Sequence, residues 1–123
     1  MLLRTSLSVF FVTQITAPDA DLHVPELCDL EFVSVLRGGL MRGRLSVPRA
    51  AEAVSDYRRL PLSRHRHEPL LERILELRDN FSVYDACYVA LAEAIEAPLV
   101  TADRRLATTV REHLSIAVVS HDL

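Results

Sequence analysis

Three acidic residues, far apart along the chain, have the types and settings to bind a hard cation: Glu31, Asp85 and Asp103. Asp85 follows Ser82 at the spacing of helix positions N-cap and N3, which satisfy orphan backbone N–H groups. Tyr88, Leu91, Ala92 and Ile95 then recur at the helical period. Pro98 ends that helix, because the residue before a proline is pushed out of the α region. Leu99-Val100-Thr101 reads as a short buried strand, with Asp103 at its junction with a helix beginning at Arg104. A helix packed antiparallel on its following strand starts at that strand's C-terminal edge. Asp85 and Asp103 should therefore share one edge of the sheet, where open α/β sheets build their sites. Spacing alone leaves two readings of these acids. Either Asp85 is an N3 capping acid and Asp103 an N-cap, or both are ligands, and Asp suits each role.

Glu31 is the odd residue on its own helix. Leu27 lies four positions before it and Val35 four after, so a charge rides on an apolar face, with Glu26 and Asp29 opposite. It is a rim residue with a buried stem, or a paired or metal-bound acid, since an isolated buried carboxylate is costly.

The elements that must position these acids alternate. Residues 22–24 form a brief strand. Pro25 suits the first turn of a helix over about 26–37, which Gly38-Gly39 should stop. Ser46 and Pro48 open a second helix, about 49–59, and residues 60–63 are an extended link or short edge strand. His65 and His67 sit at strand spacing but have no evident third ligand, so this stretch reads as solvated. A helix from near Pro69 carries the stripe Leu70, Leu71, Ile74, Leu75 and Leu77 and ends at Asp79-Asn80. Residues 116–119 close the chain as a buried strand. This order predicts an α/β fold, with helices on both faces of a small, mostly parallel sheet, as a single domain over residues 1–123.

Composition narrows the function. The formal net charge is −3, which excludes a generic polyanion binder. All 14 basic residues are Arg, the residue suited to phosphate. Arg104 and Arg105 directly after Asp103, and Arg42 with Arg44, are phosphate contacts or solvated arginines. Cys28 and Cys87 read as small buried hydrophobes of a reducing compartment, which implies the cytoplasm. The apolar run 7–12 is short and interrupted by Ser8, so neither a signal peptide nor a membrane span is expected. Glycines 38, 39 and 43 make no phosphate loop.

Four stretches carry a family resemblance: Asp21-Leu22-His23-Val24-Pro25-Glu26-Leu27 with Glu31, Glu76 to Asn80, Tyr84-Asp85-Ala86-Cys87-Tyr88-Val89-Ala90-Leu91-Ala92, and Leu99-Val100-Thr101-Ala102-Asp103. Over residues 19–106 the chain resembles a VapC-type toxin of the PIN-domain ribonuclease family. That resemblance implies a PIN-like three-layer α/β/α sandwich. It also implies an acidic site that holds Mg²⁺ or Mn²⁺ and cleaves RNA, an antitoxin partner and a homodimer. Carried over by position, Glu31, Asp85 and Asp103 are its metal-binding, catalytic acids.

One departure stands out, because the family's first strand ends in an Asp and this chain has none. Either Arg4 occupies that position within Met1-Leu2-Leu3-Arg4-Thr5-Ser6, or the first strand is absent or replaced by residues 7–13. The distance from Thr5 to Asp21 favours the second alignment. The expected function is a metal-dependent endoribonuclease toxin, impaired by the missing acid. The alternative is a catalytically inactive module that captures the antitoxin.

Overall fold

Five short strands pair in the order β3-β2-β1-β4-β5, and every pairing is parallel. They are β1 Leu2–Arg4, β2 Leu22–Pro25, β3 Leu62–His65, β4 Leu99–Thr101 and β5 Val118–Ser120. The computed structural model describes residues 2–4 and 22–120. Parallel neighbours need crossover connections, and among the described residues helices lie between β2 and β3 and between β4 and β5. The helices are α1 Leu27–Met41, α2 Val47–Arg58, α3 Leu71–Glu76, α4 Val83–Ile95 and α5 Arg104–His113, with 3-10 turns on either side of α3. The fold is α/β, as the alternation of elements predicts.

Helix α4 is the centrepiece. Ser82 caps it, its Oγ accepting the Asp85 N–H at 3.1 Å. From Ala86 to Ala92 every residue is buried, as expected of a helix enclosed on all sides. Its many alanines let it lie close on β1 and β2, while α3 covers it. Arg73 of α3 grips Glu93 of α4 with two hydrogen bonds, at 2.8 and 3.0 Å. The helix ends on Glu96, which takes the left-handed conformation (φ 54°) ahead of Pro98. A second locus of the core is Phe32 of α1 stacked on Tyr57 of α2, with centroids 4.2 Å apart.

The sheet order decides where a site can form. Strands β2 and β3 lie on one side of β1, and β4 and β5 on the other. The topological switch point is thus the crevice beyond the C-terminal ends of β1 and β4. Arg4 and Thr101, which pair in register, mark those ends.

Several expectations are corrected. A strand over Leu2–Arg4 is present among the described residues and is central: Leu2 pairs with His23 on one side and Leu99 on the other. Without it β2 and β4 would face each other with unpaired backbone edges. Arg4 therefore stands at the C-terminal end of the central strand, opposite Thr101. The proposed substitute strand over residues 7–13 lies outside the described residues.

Helix α1 runs through Gly38-Gly39 to Met41. Leu45 folds back over Gly39, where a Cβ would meet the Leu45 Cβ at 3.1 Å, so that glycine serves close packing and not termination. Gly43, at φ 70°, makes the turn instead. The extended link is an edge strand that reaches His65. The last strand is half-buried, as befits the other edge. No helix among the described residues is long and apolar enough to cross a membrane.

Candidate metal centre

Asp85 and Asp103 lie on the wall of the same surface cleft. With Asn80, Ser82, Arg105 and Thr109 they line one cleft of about 290 Å³. Local chemistry sets each carboxylate. Asp85 is the third residue of α4, which opens at Val83 after the Ser82 cap. Asp103 is the N-cap of α5: its Oδ1 accepts the N–H groups of Arg105 (3.0 Å) and Leu106 (3.2 Å). Its own N–H donates to Oγ1 of the fully buried Thr101 at 3.0 Å, which fixes the turn out of β4. Oδ2 takes no part in that cap. Both acids stand at helix N-termini, where partial positive charge offsets part of their mutual repulsion. Capping and facing the cleft are thus compatible.

Glu31 does not line this cleft. It is half-buried on α1, and its Oε1 accepts the Tyr88 hydroxyl at 2.6 Å. Tyr88 is fully buried on α4, one turn after Asp85. Burial first, then the neighbouring Cys28 and Glu31, pushes the phenol well above its ordinary pKa, so it remains a donor. Cys28 lies beside both Tyr57 and Tyr88, and burial likewise raises its thiol. On the far side Tyr57 donates to Asp29 Oδ1 at 2.6 Å, and Arg64 Nε reaches the same carboxylate at 2.9 Å. Together these contacts hold the first turns of α1 against α2, β3 and α4.

The predicted arginines separate. Arg105 lines the cleft and Arg104 is an exposed neighbour on the same first turn. Arg42 is the C-cap of α1, about 20 Å along the helix axis from its first turn at 1.5 Å per residue. The histidine segment is engaged in structure: His67 Nε2 accepts the Leu27 N–H at 2.9 Å, and His65 Nε2 lies 2.8 Å from His23 Nδ1.

Among the described residues, no three His, Cys, Asp or Glu side chains stand together as a ready-made cage. That suits some ions and not others. Zinc sites usually need three or four protein ligands. Mg²⁺ keeps much of its water and is held by one or two carboxylates plus substrate phosphate, so the two-acid cleft fits that donor pattern.

Reading the sequence took Tyr88 only as an apolar stripe residue, and did not mark Asn80 or Thr109 as lining the cleft. The signal for Tyr88 was available: a hydroxyl on an otherwise apolar face, three residues after Asp85, must find a buried partner.

The chain matches the PIN domain family over residues 5–112. It is 48% identical over 98 residues to a VapC ribonuclease of Mycobacterium bovis and to ribonuclease VapC9 of Mycobacterium tuberculosis, covering 80% of this chain and 77% of each relative. Ribonuclease VapC12 of Mycobacterium tuberculosis is 33% identical over 98 residues, covering 80% of this chain and 76% of that relative. In fold, the chain is like PAE2754 from Pyrobaculum aerophilum, with TM-score 0.69 and 21% identity over 95% of this chain and 81% of that one.

Fold, site and match together place the chain in the PIN-domain family. Its relatives put it in the VapC branch of that family.

Proposed function

We propose that this chain is the toxin of a toxin–antitoxin pair, an endoribonuclease that cleaves RNA with Mg²⁺ or Mn²⁺. One observation carries the reading: Asp85 and Asp103, from separate elements, line a single polar cleft at the switch point of the sheet. The VapC ribonuclease relatives supply the substrate class.

Asp85 and Asp103 would hold the ion, and Glu31, which lies outside their cleft on α1 and accepts the Tyr88 hydroxyl, is not counted among its ligands. The bound ion would polarise the scissile phosphate and lower the pKa of an attacking water. Arg105, on the cleft wall, and Arg104 beside it would take RNA phosphates and set the strand's register. A chain with formal net charge −3 needs such local cations to accept a polyanion.

The partners that go with this reading are RNA, a cognate antitoxin and a second copy of the chain. Leu30, Val33 and Met41 leave large apolar side chains exposed along α1, which supports a protein partner on that helix.

A second reading, an inactive module that captures the antitoxin, is favoured by Arg4 standing at the end of the central strand. Cleavage assays on structured RNA decide between them. The active enzyme cleaves with Mn²⁺ and stops in chelator and in Asp85→Ala. Activity that persists in either condition refutes the metal mechanism. Antitoxin binding without Mn²⁺ uptake by calorimetry establishes the inactive module.

A further inference from the structure

We infer that Asn80 is a specificity-determining residue of the cleft, reading the edge of an unpaired adenine beside the scissile phosphate. The inference rests on the RNA-cleaving reading above and names the base that the site prefers. Asn80 lines the same cleft as Asp85, Asp103 and Arg105. Other polar groups on that wall are already engaged. Ser82 Oγ accepts the Asp85 N–H at 3.1 Å, and the Thr109 hydroxyl donates to the Arg105 carbonyl at 2.9 Å. Asp103 Oδ1 caps α5. The Asn80 side chain is exposed, and among the described residues its carboxamide makes no hydrogen bond.

The backbone that carries this carboxamide is held. The N–H groups of Asn80 and Phe81 both donate to the Leu77 carbonyl, at 3.3 and 3.2 Å. Leu77 and Phe81 are buried, and Ser82 caps α4 directly afterwards. A side chain rooted in this way has little freedom to lose when it binds.

Its chemistry selects what it can read. A carboxamide sets a donor beside an acceptor, whereas a carboxylate only accepts and a guanidinium only donates. Single-stranded RNA is recognised through bases splayed from their stack, on their Watson–Crick and Hoogsteen edges. Adenine places its amino donor beside a ring-nitrogen acceptor on both edges, and asparagine meets that pattern with two hydrogen bonds. Guanine shows two acceptors on its Hoogsteen edge, which suits arginine instead. In this division Arg105 takes a phosphate and Asn80 takes a base.

The test begins with a structured RNA whose cut has been mapped to the nucleotide. Adenine or guanine is then placed at each position flanking the cut, two purines that differ in their edges. At one of these positions the parent chain should favour adenine over guanine roughly 10-fold in kcat/KM. In Asn80→Ala that ratio should fall to within about twofold of unity. A further substrate carries purine riboside there, which lacks only the amino group of adenosine. The parent should discriminate against it, and Asn80→Ala should treat it as it treats adenosine.

A merely structural Asn80 would lower the melting temperature and slow every substrate alike. A preference for adenine that survives in Asn80→Ala therefore overturns the inference, as does a parent chain with no such preference. A parent chain that cleaves none of these RNAs overturns the nuclease reading, and the role of Asn80 falls with it.

Discussion

Asp103 uses one carboxylate oxygen to cap α5 and lines the same cleft as Asp85, so a single residue ends a strand, starts a helix and faces the site. The two jobs separate by mutation. Asp103→Asn keeps a capping oxygen and loses the charge, so it should leave stability unchanged and cut RNA cleavage by more than roughly 100-fold. Asp103→Ala should lose the same activity and also about 1 kcal/mol of stability from the missing cap. Urea melts alongside a cleavage assay check both. Retained activity in Asp103→Asn would remove this acid from the site.

Arg4 closes the central strand opposite Thr101, two residues before Asp103 in the neighbouring strand's exit. Cation affinity follows the count and charge of the ligands around a site. Arg4→Asp should therefore strengthen Mn²⁺ binding by roughly tenfold or more and raise cleavage at low metal. Calorimetry on the full chain reads the first and a metal titration of RNA cleavage the second. No gain in either would show that the strand end does not tune the metal.

Burial and the facing His23 hold the His65 imidazole below its ordinary value of 6.5. The native state then binds protons less readily than the unfolded chain just below that value. Stability present above pH 6.5 is therefore lost as pH falls through the lowered native value. Urea midpoints at neutral pH and at mildly acidic pH should differ in this direction. In His65→Gln the difference should shrink, and an unchanged slope would assign it to other groups.

Glu96 adopts a left-handed conformation at the end of α4, where a side chain is strained and glycine is not. Glu96→Gly should stabilise the fold by about 1 kcal/mol and raise the melting temperature by roughly 3–6 °C. Calorimetric melting checks this, and a lower melting temperature would mean that the Glu96 side chain makes a contact worth more than the strain.

Local signals along the chain carried much of this protein. Ser82 and Asp85 announced the start of α4, Pro98 its end and Asp103 the start of α5, because capping and proline chemistry act within a few residues. The α/β alternation followed from the same punctuation. Three outcomes were decided only by tertiary structure. A three-residue strand has too few alternations to show a period, so Leu2–Arg4 became central because β2 and β4 needed a partner between them. Gly39 stayed inside α1 because Leu45 packs against it. Glu31 found Tyr88 across a helix interface, a pairing that no spacing along the chain encodes. Local rules fixed both ends of α4 and the start of α5. Which side chains face one another depends on how those elements pack.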